Sequence, residues 1–363
     1  MTIKIVPRKA MPLGVDLGST RVKVAQLRTV GEELELLAAG AADMGDVSGM
    51  ELPRRLEALG EMLRGILRGS PFKGRSCVLC VPAQDTFVHH VKLPRLTTPQ
   101  ETTGALEAEI QGKLPYPVEE AVVRQIVAGD VPGEQEPRRE VIVVAARRST
   151  LEAYLAMTRR IGMDVIGINI EACAVVECFG RLFRRASDNA RTILFVDLGA
   201  ASTQAVLSHG GNIVFARNLM VAGRQLDQAV ADGMHVSLDQ AQAMRVDIQK
   251  VQRDGPAEDE LYRLLDKPLD RLAGELTQCL RYYESVFRNQ AVERAIFVGG
   301  QAYDKRLCQS LAQRLNLPAQ IGDPLLHVRR VEGARLPIGL DRRNPQPDWA
   351  VAVGLSLGAI RAA

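Results

Sequence analysis

Two short segments in separate halves of the chain carry the same residue types in the same order. The first is Val15-Asp16-Leu17-Gly18-Ser19-Thr20, and the second is Val196-Asp197-Leu198-Gly199-Ala200-Ala201-Ser202-Thr203. Glycine permits a tight turn and close backbone approach, so successive N–H groups can point at phosphate oxygens while Ser or Thr hydroxyls add donors. Asp16 and Asp197 suit Mg²⁺, which needs only one or two carboxylates near phosphates. The two segments predict one phosphate site built from both halves.

A third glycine segment, Phe297-Val298-Gly299-Gly300, ends an apolar run and begins a helical one. Its backbone could lie against an adenine because glycine has no side chain to clash with the base. For either aspartate segment alone, an ordinary glycine turn explains the residues as well as a phosphate site does. Two copies in one chain favour phosphate binding. Lys23 could meet a phosphate or, with Arg21, line a solvated strand face.

The elements that position these segments follow from hydrophobic periodicity. A strand, a glycine turn and a second strand are predicted over Leu13–Leu27, and the chain repeats this opening from Arg191. Leucines at three- and four-residue spacing predict an amphipathic helix over Glu51–Arg68. Alternation of strands and helices predicts an α/β protein. Other predicted strands are Cys77–Val81, Phe87–Leu93, Glu140–Ala146, Asp164–Ile168 and Ala295–Val298, with a loop over Gly129–Arg139. Other predicted helices are Pro99–Lys113, Ser149–Ile161 with Ser149 as N-cap, Glu171–Phe183, Gln225–Ala231, Leu238–Gln249, Ala257–Arg288, Gly300–Leu315 and Asp348–Ile360.

The composition is that of a soluble globular protein with two cores. Of 363 residues, 46% are hydrophobic and 25% are charged, which suits two lobes. The net charge is +3 and the arginines are spread along the chain, so we expect no nucleic-acid partner. No apolar stretch reaches the roughly 20 residues that cross a bilayer. No leader is recognised at the start, so we expect a cytoplasmic protein with six reduced cysteines.

The three glycine segments together resemble the phosphate-1, phosphate-2 and adenosine motifs of the actin-like ATPase superfamily. Within it the chain is most similar to the PilM family of the type IV pilus inner-membrane complex, over nearly its whole length. The most specific marker is the run Leu93-Pro94-Arg95-Leu96, then Leu106–Ile110, then Lys113–Glu120. This run looks like a stretch of that family's 1C subdomain, and general actin relatives lack the run.

The resemblance implies an α/β, two-lobed actin-like ATPase (ribonuclease H-like) fold with an inserted 1C-type α+β subdomain. It implies a first lobe over residues 11–190 (1A), with the insert at about 75–165. The second lobe is then 191–345 (2A/2B), with a helical 2B part at about 224–293. Residues 346–363 form a C-terminal helix that returns to the first lobe.

Further site residues are implied by the resemblance. Gly223 looks like the family's glycine step before the second-lobe helix, where backbone approaches phosphates and ribose. Gln242 and Arg245 stand where relatives usually have Glu and Lys near the ribose and adenine. Gln can still hydrogen-bond a hydroxyl and Arg can stack on a base. Gln301 replaces a third glycine that is common in the adenosine motif.

The resemblance implies ATP and Mg²⁺ as cofactors that bridge the lobes and set their angle. It implies a scaffold that binds the cytoplasmic N-terminal peptide of a PilN-like membrane protein, in a groove that uses residues 86–125. Membrane contact is then expected only through partners at the inner membrane, and the chain could also form a homo-oligomer. No Glu or Gln is placed by sequence as the water-orienting residue, so enzyme status stays open, with slow ATPase activity at most.

Three rivals use the same phosphate segments. A sugar-kinase-like phosphotransferase needs a catalytic aspartate beside a substrate hydroxyl, and none is placed by the sequence. A protein similar to FtsA is expected to carry a C-terminal amphipathic membrane helix, whereas this sequence reads Ile360-Arg361-Ala362-Ala363 at its end. A type II secretion L-like protein is expected to continue into a transmembrane helix.

Overall fold

The computed structural model describes residues 8–47, 49–96, 98–133, 136–180, 186–251, 255–288, 290–330, 340 and 344–358. The strands are β1 (Arg8–Leu17), β2 (Arg21–Val30), β3 (Glu33–Asp43), β4 (Ser76–Cys80), β5 (Thr86–Pro94), β6 (Ala121–Val131), β7 (Arg138–Arg147), β8 (Asp164–Asn169), β9 (Thr192–Leu198), β10 (Thr203–His209), β11 (Asn212–Leu219), β12 (Val292–Val298), β13 (Ala319–Ile321) and β14 (Val328–Arg330). The helices are α1 (Leu52–Gly69), α2 (Pro99–Ile110), α3 (Arg148–Arg160), α4 (Glu171–Phe179), α5 (Gly223–Met234), α6 (Leu238–Val251), α7 (Pro256–Val286), α8 (Lys305–Leu315) and α9 (Ala350–Leu357).

Two of the sheets share one topology. The first has the order β14-β3-β2-β1-β4-β8 and the second the order β11-β10-β9-β12-β13. In each, three antiparallel strands follow one another in the chain, and the first of them also pairs in parallel with a later strand, β4 or β12. The structure therefore repeats, at the level of strand order, the duplication seen in the two aspartate segments.

A third, antiparallel sheet lies between β4 and β8 in the sequence. Its order is β5-β7-β6, and Leu106 and Ile110 of α2 pack with Val91, Val141 and Val143 in its own small core. This sheet and α2 form an α+β unit, as predicted for the insert. The strands that flank it in the chain, β4 and β8, pair with each other in the first sheet.

The third sheet also contacts the second sheet through a buried polar cluster. Glu140 is fully buried and accepts a 2.7 Å hydrogen bond from the hydroxyl of Tyr282 on α7. His90 Nδ1 lies 2.9 Å from the same Glu140 oxygen, and its Nε2 lies 3.2 Å from the carbonyl oxygen of Ala216. Buried polar groups need such partners, so this cluster fixes where the third sheet packs.

The helix α9 packs closely against α4 and β1 of the first sheet. A Cβ at Gly14 would collide with the carbonyl oxygen of Ala352, and a Cβ at Gly354 with that of Ala174. Glycine at both positions is what permits this approach. Ser356 Oγ donates to the Pro12 carbonyl at 2.8 Å and accepts from the Leu27 amide at 3.0 Å. The helix α9 therefore packs back onto the sheet that contains β1 and β2.

The structure departs from several local predictions. Ser149 is not an N-cap, because the chain passes from β7 directly into α3 and Arg147 holds the cap position. Gly300 does not begin α8, since a 3₁₀ turn intervenes and Asp304 caps the helix by accepting from the Leu307 amide at 2.9 Å. The predicted loop over 129–139 is shorter, because β6 continues to Val131. The predicted helices over 171–183 and 348–360 extend into residues 181–183 and 359–360, which lie outside the described residues.

None of the described helices is both long enough and apolar enough to cross a membrane. The six cysteines, at 77, 80, 173, 178, 279 and 308, are free thiols and five of them are buried. Burial raises the pKa of Cys77 and of Cys173 to about 12, so these thiols are not reactive near neutral pH. The expectation of reduced, structural cysteines fits this arrangement.

Candidate functional site

A cleft of about 830 Å³ lies between the first and second sheets. The turns at the ends of β1 and β9 face it from opposite sides. All but two of the site residues that were predicted from the sequence line this cleft. Those in the cleft wall are Asp16, Gly18, Ser19, Thr20, Lys23, Asp197, Gly199, Ala200, Ala201, Ser202, Gln242, Arg245, Gly299, Gly300 and Gln301.

The two remaining residues lie behind the wall. Thr203 is fully buried and its hydroxyl donates to the Val221 carbonyl at 2.7 Å. The Gly223 amide donates to the Gly199 carbonyl at 3.0 Å. Both residues therefore support the hairpin of β9 and β10, called the second hairpin here, from its buried side. They do not face the cleft directly.

The two glycine turns have matching geometry. A Cβ on Gly18 would lie 2.6 Å from the Arg21 carbonyl oxygen, and a Cβ on Gly199 would lie 2.6 Å from that of Ser202. Real Cβ atoms do not approach backbone this closely, so glycine is required at the same point of each hairpin. The Gly199 amide also donates to the Ser202 carbonyl at 3.1 Å. The duplicated sequence thus produces a duplicated tight turn beside the cleft.

Asp16 forms a buried ion pair with Lys23. The two residues are directly opposite each other on β1 and β2, and Lys23 Nζ lies 2.9 Å from Asp16 Oδ2. Burial by itself lowers the pKa of Lys23, but attraction to Asp16, Asp348 and Asp197 outweighs it and raises that pKa. Lys23 is therefore a charged group in the cleft wall. The alternative of a solvated strand face is wrong, because the residue is only 8% exposed.

Asp197 occupies the corresponding place on β9 without a lysine opposite. Gln204 is its cross-strand partner. Burial and repulsion from Asp16 raise the pKa of Asp197 to about 7, although Lys23 opposes this change. A site that raises a carboxyl pKa by crowding negative charge favours a cation, because a cation restores the ionised form. The pair Asp16 and Asp197 therefore fits Mg²⁺ chemistry.

Gly299 is held against Asp197. Its φ is +89°, and a Cβ there would collide with Asp197 Oδ1 and lie 2.6 Å from the Leu198 carbonyl oxygen. Only glycine combines this left-handed backbone with this approach. The third glycine segment thus contacts the second hairpin directly and lies on the same side of the cleft as that hairpin.

Glu171 is the principal site residue that the sequence did not identify. It begins α4, lines the cleft and accepts a 2.6 Å hydrogen bond from Gln204 Nε2. Burial, with repulsion from Asp197 and Asp16, raises its pKa to about 8. A carboxylate with a pKa near neutrality can exchange a proton with water. Its position after β8 was the available signal, but only the packing of α4 brings it to the two aspartates.

Arg245 is fixed by a network and does not present a free guanidinium face. Its Nη1 donates to Asp227 Oδ1 at 2.6 Å and to the Gly223 carbonyl at 3.2 Å, and its Nη2 donates to Gln301 Oε1 at 2.7 Å. Arg245 is only 3% exposed. Its Nε is buried without a partner. The arrangement makes Arg245 an organiser of the cleft wall that includes Gln301, and Gln242 lines the same cleft.

Two further cleft residues were not predicted. Asp348, just before α9, accepts from the Tyr303 hydroxyl at 2.6 Å and from Arg21 Nη1 at 3.2 Å. Arg224 at the start of α5 forms an ion pair with Asp46, which follows β3. These contacts link the two sheets across the cleft mouth. Among the described residues, no cluster of three or more His, Cys, Asp or Glu side chains could hold a metal ion by itself.

Comparison with known proteins supports this fold. The family model described as type IV pilus assembly protein PilM matches residues 14–360. A solved structure of the PilM-PilN type IV pilus biogenesis complex has a TM-score of 0.78 at 20% identity, covering 96% of this chain and 98% of that chain. EutJ, an ethanolamine utilization protein from Carboxydothermus hydrogenoformans, has a TM-score of 0.53 at 14% identity, covering 98% and 93%.

These similarities confirm the predicted two-lobed, actin-like fold. The first sheet then belongs to the first lobe and the second sheet to the second lobe. The predicted domain boundaries within the lobes remain predictions. Since the family model covers nearly all of the sequence, the chain belongs to the PilM family of type IV pilus assembly proteins.

Proposed function

We propose that this protein is an ATP-binding scaffold of the type IV pilus inner-membrane assembly complex. The observation that carries the proposal is the shared cleft, because Asp16 and Asp197 come from separate lobes and line one cavity of about 830 Å³. A cavity of several hundred Å³ with a few convergent polar groups is the usual form of a small-molecule site. The two hairpins supply backbone amides and hydroxyls for phosphates.

The residues present fit ATP with Mg²⁺. Ser19, Thr20 and Ser202 lie on the hairpin turns, where the phosphates would be held. Asp16 and Asp197 would hold Mg²⁺ through bound water. The Mg²⁺ ion would neutralise negative charge at the phosphates. Gly299 would face the adenine, beside the network that holds Arg245. Mg²⁺ also offsets the repulsion between the two aspartates that raises the pKa of Asp197.

Nucleotide would act as a structural ligand of the scaffold. A molecule that contacts both lobes stabilises their closed arrangement by the difference between its affinities for the closed and open forms. Glu171 would be the residue that accepts a proton from an attacking water. Its raised pKa of about 8 leaves it mainly protonated at neutral pH, so we expect hydrolysis to be slow there.

We further propose that the partner is the N-terminal cytoplasmic tail of a PilN-like membrane protein. The predicted groove lies between the first lobe and the third sheet, over residues 86–125. The strand β8 follows the third sheet in the chain and lies outside residues 86–125. It is the last strand of the first sheet, and among the described strands it pairs only with β4. Its outward residues Ile166 and Ile168 are 45% and 40% exposed. An unpaired edge with apolar side chains supports the addition of an extended peptide.

The test is titration of the full chain with a synthetic peptide that corresponds to the N-terminal cytoplasmic tail of a PilN-like protein. Ile166→Asp should weaken binding at least tenfold, because it places a charge on the proposed contact. Leu326→Asp is the matched control, since Leu326 is 69% exposed and lies in the segment before β14. Equal affinity for both variants would remove β8 from the binding site. Failure of the natural chain to bind any such tail would remove the partner assignment itself.

A further inference from the structure

The end of the first sheet that faces away from the cleft carries a group of exposed cations. The cleft lies at the carboxyl ends of the parallel strands β1 and β4, where Asp16 and Pro82 line it. The opposite end holds the last turns of α1 and α3 and the start of β4. Its cations, called the basic end here, are Arg64, Arg68, Lys73, Arg75, Arg159 and Arg160.

Backbone contacts bring these residues together. The Arg75 carbonyl accepts from the amide of Asp164, the first residue of β8, at 2.9 Å. Arg159 and Arg160 end α3 a few residues before β8, and the Arg159 carbonyl accepts from the Gly162 amide at 3.0 Å. Lys73 is fixed by two backbone hydrogen bonds to the Gln26 side chain, whose amide also donates to the Met11 carbonyl. The basic end is therefore a continuous part of one surface.

The charges of the basic end are not neutralised by the fold. All six side chains are exposed, and none of them forms an ion pair with a carboxylate of the described residues. Acidic residues close to these cations include Glu61, three positions before Arg64 on α1, and Asp164 at the start of β8. Several arginines elsewhere are paired with carboxylates, for example Arg28 with Glu35 and Arg314 with both Asp266 and Asp270. The chain has an overall charge of only +3, so this local excess is a distinct feature.

The helix dipole accounts for only some of the cations of the basic end. Basic residues in the last turn of a helix interact favourably with the negative end of its dipole, which accounts for Arg68, Arg159 and Arg160. The dipole falls off within that turn. Lys73 and Arg75 lie outside any helix, in the segment that leads into β4. Their addition to the same surface is what points to an external anionic partner.

We infer that the basic end rests directly on the anionic phospholipid headgroups of the membrane. An exposed cationic surface complements the negative potential of a cytoplasmic leaflet, and each Lys or Arg near that leaflet strengthens binding about fivefold. The exposed large apolar residues of the described chain include none from the last turns of α1 and α3 or from residues 70–76, so the contact is electrostatic and peripheral. This goes beyond membrane attachment through protein partners alone.

The position of β8 also sets the orientation of a bound tail relative to the membrane, a step that rests on the proposed function. The strand β8 begins at Asp164, beside Arg75, and runs towards the cleft. A tail paired along β8 would therefore have one of its two termini next to the basic end. If the basic end faces lipid, that is the end from which the tail continues into its membrane anchor.

The experiment is co-sedimentation of the full chain with phosphatidylcholine vesicles, with and without phosphatidylglycerol, and without any tail peptide. Binding should require phosphatidylglycerol and weaken as salt rises. The double variant Arg159→Gln with Arg160→Gln should bind about 25-fold more weakly, as two cations are lost. The control Arg281→Gln with Arg288→Gln removes two exposed cations, one near the end of α7 and one just after it, and should bind as the natural chain does.

Several outcomes would overturn the inference. Equal binding to both vesicle types, or an equal loss in the two double variants, would show that the basic end does not contact lipid. Tighter binding to a DNA duplex than to anionic vesicles at the same salt would assign the surface to nucleic acid instead. Thermal shift with ATP and titration with the tail are measured on the same variants. Absence of the ATP shift or of tail binding in the natural chain would count against the proposed function, while vesicle binding reports on the basic end alone.

Discussion

Gln204 of the second lobe donates a 2.6 Å hydrogen bond to the carboxyl group of Glu171 in the first lobe. Gln204 lies opposite Asp197 on the neighbouring strand, so this bond crosses the cleft beside the proposed metal position. Separation of the lobes must break it. The site that would bind nucleotide is thus also one of the contacts that hold the two lobes together.

Neutralising Asp197 should weaken nucleotide binding without unfolding the protein. ATP with Mg²⁺ should raise the melting temperature of the natural chain, since a ligand at 100 times its Kd stabilises the folded state by about 2.7 kcal/mol. Asp197→Asn removes a carboxylate that is already crowded by Asp16, so the ligand-free melting point should not fall while the ATP shift shrinks. Asp130→Asn, on an exposed ion pair outside the cleft, is the control and should keep the full shift. No shift with millimolar ATP in the natural chain would remove nucleotide binding from the proposal.

The Asp16–Lys23 pair should show strong coupling in unfolding experiments. Replacing either residue alone by Leu leaves the other charge buried, which costs about 3–5 kcal/mol of unfolding free energy. The double replacement should cost much less than the sum of the two single ones. The Arg95–Asp130 pair, with both side chains about half exposed, provides the comparison and should couple by less than about 1 kcal/mol. Additive effects at Asp16 and Lys23 in urea unfolding would contradict the buried pair.

Stability of the ligand-free protein should decrease as the pH rises from about 5 to 8. The folded state holds protons on Asp197 and Glu171, whose pKa values are raised to about 7 and about 8, whereas the unfolded chain loses them near pH ~4. Each such group lowers the unfolding free energy by up to about 4 kcal/mol across this range. Glu171→Gln should flatten the curve and be more stable than the natural chain at pH 8. The control Glu152→Gln, on the exposed side of α3, should leave the slope unchanged, and an unchanged slope in Glu171→Gln would contradict the buried carboxyl.

Gly299→Ala should be far more damaging than Gly300→Ala. The first places a Cβ in a left-handed backbone and against Asp197, whereas a Cβ at Gly300 meets no heavy atom within 4 Å. We expect Gly299→Ala to lower the unfolding free energy by about 1–3 kcal/mol and to reduce the ATP-dependent shift. Gly300→Ala should change the unfolding free energy by less than about 0.5 kcal/mol. Equal stability of the two variants would show that Gly299 does not pack against Asp197.

The sequence by itself determined those features that local chemistry specifies. The tight turns beside Asp16 and Asp197 require glycine at positions 18 and 199 because of contacts within a few residues. Both hairpins could therefore be predicted from their amino-acid sequences. Helices such as α1 and α7 could be predicted because their apolar spacing matches the helical repeat. The strands β3, β6 and β11 were not predicted as strands, since each is held mainly by pairing with a neighbour.

Only the tertiary structure decided which residues share the cleft. Glu171 and Gln204 are 33 positions apart, and Arg21 and Asp348 are 327 apart, so no periodicity connects them. The role of Arg245 also depended on packing, because its burial against Asp227 and Gln301 excludes the free stacking face that its residue type permits. Side chains at such positions become buried when segments that are distant in the sequence pack together, and this burial changes which of them are charged. That desolvation, absent from any local pattern, sets which groups are paired, which are crowded and which can bind a ligand.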